Sequence, residues 1–487
     1  MTGPHESPLL LQWGRHRRRR RAPLPRLLWG VLGTAALGAA AFAVWIVVRP
    51  HPWRPPSGHP SFSACTSADG AAAWCGRVLV PEDPRDPDGP TIALRVLVLP
   101  ATARPAAGAL FYLEGGPAVA ASDLAESVYG RFAEIGRDRD LVLVDQRGTG
   151  GSNALACRGG PSSCFARLGD RSRLYTTSVA ADDLEAVRRA LGYDRIDLYG
   201  VSYGATLAQI YADRYPASVR SMVLDGGSLL DVRIYDASAR NAERALDADL
   251  ARCARDTACA KAFPHPRRDL ATILVRPPRR VMIETGTVTL RPDDVAWTVN
   301  ALSQSVDAAA TIPFVVHEAA RGDYLPLARA FATEVGTGPD PRSRLATFWT
   351  IICSEPWAAF DPYATALEGR GSYLDSAAVA RARFFLQACR SVPRGRVGED
   401  EATNAVSHAP TLLLAGSNDP LDPPAALRGW WRAFPDGRLL VVPNGAHGAM
   451  DDTCVQSVVA RFVARGRTAG LNTACVRRIA PPPFVTG

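Results

Sequence analysis

Hydrophobic positions after residue 90 fall into two kinds of segment. Short apolar runs rich in β-branched residues predict strands, and longer segments with apolar residues at helical spacing predict helices. The predicted strands are residues 92–99, 109–113, 141–144, 196–199, 222–224, 412–415 and 439–442. The predicted helices are residues 177–191 and 205–215. Strands that alternate with helices indicate an α/β fold, in which a mostly parallel sheet is covered on both faces.

The alternation stops after Leu224 and resumes at Thr411. Between about residues 230 and 409 the pattern is largely helical and irregular, with one possible strand pair near residues 281–290. We therefore predict one sheet that is interrupted by a large insertion. The predicted organisation is a core made of residues 62–229 and 410–480, an insertion of residues 230–409 and a short tail of residues 481–487.

The N-terminal segment has a different pattern. Residues 1–26 contain seven arginines and one acid, Glu6, which gives this tail a net charge of +6. Residues 27–48 are uncharged and long enough to cross a bilayer as a helix, and the linker of residues 49–61 is rich in proline. Because basic residues stay on the cytoplasmic side, we predict a single-pass signal anchor with the rest of the chain outside the cytoplasm. Secretion after cleavage of a signal peptide is the alternative.

Composition and charge argue against two classes of protein, globally disordered proteins and nucleic-acid-binding proteins. Hydrophobic residues make up 47% of the chain and charged residues 21%, which excludes a globally disordered protein. Most of the net charge of +8 belongs to the N-terminal tail, so the folded part has no basic face for nucleic acid. We expect anionic lipid to be the partner of the arginine cluster, and we expect the chain to be a monomer.

Cysteine usage agrees with export. All ten cysteines follow the predicted span, and an even number in an exported chain indicates disulfides. The sequence alone does not fix the connectivity, so neighbour pairing is a hypothesis. It predicts the bridges Cys65–Cys75, Cys157–Cys164, Cys253–Cys259, Cys353–Cys389 and Cys454–Cys475. A zinc site is the rival interpretation, but the spacing typical of zinc ligands is missing. We predict no metal and no cofactor.

The segment Gly200-Val201-Ser202-Tyr203-Gly204 follows a predicted strand and precedes a predicted helix. This context is typical of a nucleophile elbow, a tight turn that exposes a serine hydroxyl. Side chains at Gly200 and Gly204 would collide across such a turn. Ser202 is therefore the candidate nucleophile, and an ordinary glycine-rich turn is the alternative.

A serine needs a base, an acid that orients the base, and donors for the oxyanion. His447 follows the last predicted strand in a glycine-flanked loop and is the candidate base. Asp419 lies nearer the end of the preceding strand and is the favoured acid, with Asp422 in reserve. The backbone amide of Tyr203 is one candidate donor, and the turn Gly115-Gly116-Pro117 supplies the other at Gly116.

Taken in order, five segments resemble those of the α/β-hydrolase exopeptidases. This family includes the proline iminopeptidases and the secreted tripeptidyl aminopeptidases of actinobacteria. The segments are residues 115–117, 145–150, 200–204, 416–419 and 445–448. The resemblance covers roughly residues 62–480. It implies an α/β-hydrolase fold with Ser202, Asp419 and His447 as the triad, Gly116 and Tyr203 as the oxyanion hole, and the insertion as a cap over the site.

Two departures from the family pattern stand out. Ala118 replaces the glycine that usually follows Gly-Gly-Pro, and the segment Asp419 to Pro423 leaves the choice of acid open. In the family, cap acids bind the free α-amine of the substrate. Glu355 is the first candidate for this role and Glu243 the second, and a solvated surface acid is the alternative for each.

The leading functional hypothesis is therefore a membrane-anchored serine exopeptidase that acts on peptides with a free N-terminus. A carboxylic-ester hydrolase on the same scaffold is a second hypothesis, because a fold does not fix its substrate. An inactive envelope-binding protein is a third, and the intact set of triad residues argues against it.

Overall fold

The computed structural model describes residues 62–66, 72–103, 105–157, 161–336, 346–401 and 403–486. Its main element is a nine-stranded sheet with the strand order β1-β2-β3-β5-β4-β6-β7-β10-β11. The strands of this sheet are β1 (Ser63–Thr66), β2 (Ala72–Pro81), β3 (Thr91–Leu99), β4 (Ala109–Leu113), β5 (Asp140–Val144), β6 (Ile196–Val201), β7 (Val219–Asp225), β10 (Thr411–Gly416) and β11 (Gly437–Val442).

The direction of pairing changes across the sheet. The strands β5, β4, β6, β7, β10 and β11 pair in parallel, whereas the pairs β1–β2, β2–β3 and β3–β5 are antiparallel. The prediction of a mostly parallel sheet is confirmed. The strands β1 and β2 were not predicted from the sequence. On β2 the exposed positions include the apolar residues Ala72 and Leu79, so the alternation of buried and exposed positions is not visible as an alternation of apolar and polar residues.

Helices cover both faces of the sheet. Along β4, Leu110 and Tyr112 point to one hydrophobic cluster while Phe111 and Leu113 point to the other. The helices of the core are α1 (Ala125–Arg131), α2 (Pro161–Leu168), α3 (Thr177–Ala190), α4 (Tyr203–Arg214), α15 (Trp430–Ala433) and α16 (Thr453–Arg465). Helices α3 and α4 pack on one face, and α1 and α16 pack on the other. Burial on both faces explains the continuous apolar character of the central strands.

Residues 226–410 interrupt the sheet between β7 and β10, and we call the described part of this insertion, residues 226–336, 346–401 and 403–410, the cap. The cap is mainly helical and holds one antiparallel hairpin of β8 (Arg279–Ile283) and β9 (Gly286–Leu290), near the predicted strand pair. Its helices are α5 (Ser238–Arg255), α6 (Thr257–Ala262), α7 (Pro266–Leu274), α8 (Pro292–Leu302), α9 (Val306–Ala309), α10 (Ile312–Arg321), α11 (Leu325–Phe331), α12 (Ala346–Ser354), α13 (Pro362–Gly369) and α14 (Asp375–Cys389). A hydrophobic cluster that includes Tyr203, Trp349 and Phe385 packs the cap against the core.

All five predicted disulfides are present. The bridges are Cys65–Cys75, Cys157–Cys164, Cys253–Cys259, Cys353–Cys389 and Cys454–Cys475. The hypothesis of neighbour pairing is therefore confirmed. The bridge Cys353–Cys389 joins α12 to the end of α14 and so ties two elements of the cap together.

The predicted anchor of residues 27–48 lies outside the described residues, as do the arginine-rich tail and the linker of residues 49–61. Within the described ranges, no helix combines the length and the apolar character needed to span a bilayer.

Candidate active site

Ser202 occupies the turn between β6 and α4. Its backbone has φ 54° and ψ −125°, a region that residues other than glycine rarely adopt. A Cβ atom on Gly200 would lie 2.2 Å from the carbonyl oxygen of Gly204, and one on Gly204 would lie 2.0 Å from that of Leu113. Both glycines are therefore required for the tight turn that the sequence predicts. The amide of Ser202 donates to the carbonyl oxygen of Asp225, which fixes the turn to the neighbouring strand.

The turn Gly115-Gly116-Pro117 lies against this serine. A Cβ atom on Gly115 would approach the Cβ of Ser202 to 2.9 Å, so glycine is needed for the close contact. Gly116 has φ 118° and lines a cavity together with Ser202 and Tyr203. Tyr203 is the first residue of α4, where backbone amides have no partner within the helix. Gly116 and Tyr203 thus line the same cavity as Ser202, and their role as oxyanion donors stays a prediction.

Asp419 and His447 form a hydrogen-bonded pair. The distance from Oδ2 of Asp419 to Nδ1 of His447 is 2.9 Å, and the carboxylate is fully buried. Its other oxygen accepts hydrogen bonds from the amides of Leu421 and Asp422, at 2.8 and 2.9 Å. The aspartate is therefore held rigidly, and Nε2 of His447 is the ring nitrogen available to a serine hydroxyl.

The reserve acid, Asp422, lies farther from the histidine. Its Oδ2 is 3.9 Å from Nδ1 of His447, and its side chain accepts a hydrogen bond from the hydroxyl of Ser228. Burial raises the pKa of Asp422 to about 6. The geometry thus favours Asp419 as the partner of the histidine.

The electrostatic balance around His447 favours its charged form. Burial lowers the pKa of this imidazole, but the carboxylates of Asp419, Asp422 and Asp225 outweigh it and raise the pKa to about 9. For Asp419, burial favours the protonated form, yet the imidazole and the two amide donors hold its pKa below the usual value. Both shifts favour the charged forms of Asp419 and His447.

Asp225 is a buried acid that the sequence analysis missed. It ends β7, its two carboxylate oxygens share the amide hydrogen of Ala449 at N···O distances of 2.8 and 2.9 Å, and it accepts a hydrogen bond from the hydroxyl of Tyr199. It thereby ties the loop that carries His447 to the centre of the sheet. Gly226, the next residue, leaves room for the ring, because a Cβ atom there would lie 3.3 Å from Nδ1 of His447.

Glu355, the first candidate for amine binding, lies behind the cavity. Its buried carboxylate accepts hydrogen bonds from the amide and hydroxyl of Thr177 at 2.9 and 2.7 Å, and from the indole of Trp357 at 2.7 Å. The hydroxyl of Thr177 is in turn 2.8 Å from that of Tyr203. Burial raises the pKa of Glu355 to about 7. These hydrogen bonds connect Glu355 to Thr177 and Trp357 and so stabilise the wall of the cavity. The predicted contact of Glu355 with the substrate stays a prediction.

Glu243, the second candidate, does not line the cavity beside Ser202. Its carboxylate pairs with Arg267 at 2.8 Å and accepts a hydrogen bond from the amide of Tyr373 at 2.9 Å. Both partners belong to the cap, so the contacts of Glu243 are those of a structural ion pair.

The cavity beside Ser202 holds about 1040 Å³ of open space, including its mouth. The core contributes Gly116, Ser202 and Tyr203, and the cap contributes most of the remaining wall. The cap residues with aromatic or charged side chains are Tyr235, Trp297, Trp357, Phe360 and Arg381. No cluster of three or more histidine, cysteine, aspartate or glutamate side chains in the described part of the chain is arranged to hold a metal ion.

Comparison with protein families agrees with this geometry. A family described as alpha/beta hydrolase fold matches residues 108–305, and one described as TAP-like protein matches residues 377–475. The first match contains the serine turn and the second contains Asp419 and His447. The chain has the α/β-hydrolase fold.

Several curated proteins that are similar to this chain are named as peptidases. The chain is 28% identical over 274 residues to serine protease Hip1 of Mycobacterium tuberculosis, covering 48% of this chain and 52% of that protein. It is 30% identical over 198 residues to tripeptidyl aminopeptidase of Streptomyces lividans, covering 32% of this chain and 37% of the relative. With proline iminopeptidase of Neisseria gonorrhoeae it shares 31% identity over 117 residues, 24% of this chain and 32% of the relative.

The chain therefore spans about half the length of the Hip1 proteins it matches and less of the other two relatives. The chain is thus similar to serine peptidases that share the α/β-hydrolase fold, as the resemblance of its motifs implied.

Proposed function

We propose that this α/β hydrolase is a serine exopeptidase that removes short fragments from the free N-termini of peptides. The observation that carries the proposal is the hydrogen-bonded pair of Asp419 and His447 at the sheet edge where Ser202 occupies its strained turn. A serine in such a turn and a histidine oriented by a buried carboxylate are the parts that acyl transfer requires.

In the proposed reaction, His447 removes the proton of the Ser202 hydroxyl as its oxygen attacks the scissile carbonyl. The amides of Gly116 and Tyr203 stabilise the oxyanion. His447 then gives the proton to the leaving amine, which departs and leaves an acyl-enzyme. Water, activated by the same histidine, releases the N-terminal fragment. Asp419 holds the imidazole in the required tautomer throughout.

The exopeptidase assignment is supported by the names of the curated relatives and by the cap, which encloses one side of the serine. A carboxylic-ester hydrolase uses the same machinery, so substrates must discriminate between the two functions. Peptide arylamides and nitrophenyl esters of matched acyl groups should be compared with the Ser202→Ala variant as the blank. Turnover of arylamides that is lost in Ser202→Ala supports the peptidase. Turnover of esters alone would contradict it.

We also propose that the chain is anchored in the membrane by residues 27–48, with the hydrolase outside the cytoplasm. The five disulfides support an oxidising compartment. Full-length protein should remain with the membrane fraction after a high-salt wash and be digested by protease added to intact cells. A mature N-terminus near residues 48–60, with soluble enzyme in the medium, would show instead that the segment is a cleaved signal.

A further inference from the structure

The cavity beside Ser202 contains an arginine without a counterion. Arg381 projects from α14 into a wall that is otherwise mainly apolar and aromatic. Its guanidinium carbon lies 4.6 Å from the ring centre of Trp297, 5.6 Å from that of Phe385 and 5.8 Å from that of Tyr235. Throughout the described residues, Arg381 takes part in none of the ion pairs and side-chain hydrogen bonds. Ring contacts are therefore what positions this side chain.

The contacts with aromatic rings leave the N–H donors of Arg381 available for a ligand. A guanidinium carries its N–H donors in the plane of the group, so contact with aromatic faces does not satisfy them. Burial lowers the pKa of Arg381, yet an arginine stays charged at neutral pH. The side chain is partly buried, and a carboxylate matches the planar fork of its donors through two parallel hydrogen bonds.

The other charged side chain in the described lining of the cavity is that of Asp422. It accepts a hydrogen bond from Ser228 and lies 3.9 Å from Nδ1 of His447. Asp422 therefore interacts with His447 and Ser228, and it forms no ion pair with Arg381. The cavity thus presents a cation on the cap side of the serine.

The position of Ser202 indicates which part of a substrate enters this cavity. Ser202 lines the cavity together with Gly116 and Tyr203, whose amides are the predicted oxyanion donors. In the proposed reaction the acyl fragment stays bonded to Ser202, whereas the leaving amine departs. The cavity that contains Arg381 is therefore the space that adjoins the acyl fragment.

We propose that Arg381 binds a carboxylate on the acyl fragment of the substrate, so that the enzyme prefers peptides with aspartate or glutamate in the fragment it releases. The proposal rests on the proposed peptidase function and adds its substrate class. The guanidinium would hold the acidic side chain through two parallel hydrogen bonds, with the aromatic rings keeping water away.

The test uses the disulfide-bonded chain and pairs of tripeptide arylamides that differ only in glutamate or glutamine at one position. We expect kcat/KM to favour glutamate by about 10- to 100-fold at one of the three positions, as for a hydrogen bond to a charged group. Arg381→Met should abolish this preference by lowering kcat/KM for the glutamate peptide to that for the glutamine peptide. Arg381→Lys should retain part of the preference, because it keeps the charge but loses the planar fork.

Arg383→Met is the matched control, since Arg383 is exposed on the same helix and carries the same charge. This variant should keep the full preference for glutamate. A wild-type enzyme that cleaves both peptides with equal kcat/KM would overturn the proposal. So would an Arg381→Met variant that loses activity on both peptides equally, because that result indicates a purely structural role.

A binding measurement separates this proposal from the proposed function. Calorimetric titration of the Ser202→Ala chain with the glutamate and glutamine peptides needs no turnover. If no arylamide is cleaved but the glutamate peptide still binds more tightly through Arg381, the peptidase assignment fails and the carboxylate site stands. Equal binding of the two peptides by Ser202→Ala and by its Arg381→Met double variant overturns the site.

Discussion

The core and the cap contribute to the candidate site in different ways. In the core, Ser202, Asp419 and His447 each follow the end of a strand, within five residues of β6, β10 and β11. In the cap, the cavity wall comes from segments far apart in the chain, such as Trp297 on α8 and Arg381 on α14.

This difference suggests a division between two properties, the turnover of any substrate and the selectivity among substrates. The edge of a parallel sheet brings reactive groups together in any protein of this topology, so we expect the core to supply the chemistry. The packing of the cap determines the shape and charge of the cavity, so we expect the cap to set the substrate selectivity. Changes in the core should therefore alter turnover of every substrate, whereas changes in the cap should alter selectivity or stability.

The largest expected effect concerns the acid in the core. Asp419→Asn should lower turnover by up to about 10⁴-fold, because its carboxylate holds the tautomer of His447. Asp422→Asn should leave at least roughly a tenth of the activity, since its oxygen lies 3.9 Å from the ring nitrogen. Turnover of the two variants, with circular dichroism to check folding, decides between them. A dead Asp422→Asn enzyme beside an active Asp419→Asn enzyme would reverse the assignment.

The second prediction concerns pH. A general base acts in its neutral form, so kcat/KM should fall about tenfold per unit as the pH drops below the pKa of His447, which is about 9. Asp422→Asn removes a carboxylate that raises this pKa and should move the midpoint to lower pH. Asp247→Asn, an exposed acid of the cap, should leave the midpoint unchanged. A wild-type midpoint near the ordinary value of about 6.5 would contradict this electrostatic account.

The third prediction compares one disulfide of the cap with one of the core. The bridge Cys353–Cys389 spans 36 residues and Cys454–Cys475 spans 21. On the chain-entropy account, replacing both cysteines of a pair by alanine should cost about 4 kcal/mol in the cap and about 3 kcal/mol in the core. Denaturant unfolding followed at equilibrium measures both losses. A larger loss from the core bridge would show that strain or residual structure, and not loop length, sets these stabilities.

The smallest expected effect is at Ala118, the residue that departs from the family pattern. Ala118 has φ 72°, a left-handed conformation that costs alanine about 1 kcal/mol relative to glycine. Ala118→Gly should therefore raise the free energy of unfolding by up to about that amount and keep turnover. Ala120→Gly is the matched control, because Ala120 has φ −78° and gains nothing from glycine. Equal effects of the two substitutions would rule out backbone strain at Ala118.

Local pattern was sufficient to predict the parallel strands and the serine turn. The strands β4, β6 and β10 form where apolar runs occur in the sequence, because a strand buried on both faces must be apolar throughout. The disulfides were predictable because each bridge joins two cysteines that follow one another in the order of cysteines along the chain. The antiparallel strand β2 escaped prediction because its exposed positions include apolar residues, so its burial pattern is not visible as an alternation of apolar and polar residues.

The sequence by itself determined the order of the core strands along the chain, the strained serine turn, the candidate base and a choice of two acids. Each of these depends on interactions within a few residues or on the rule that strand ends meet at one edge of a sheet. Only the tertiary structure showed that Asp419, and not Asp422, is hydrogen-bonded to His447. It also showed that Asp225 binds the loop that carries His447 and that Glu243 forms an ion pair with Arg267. It alone placed Arg381 among three aromatic rings, because contacts between distant segments depend on packing, for which the local sequence carries no signal.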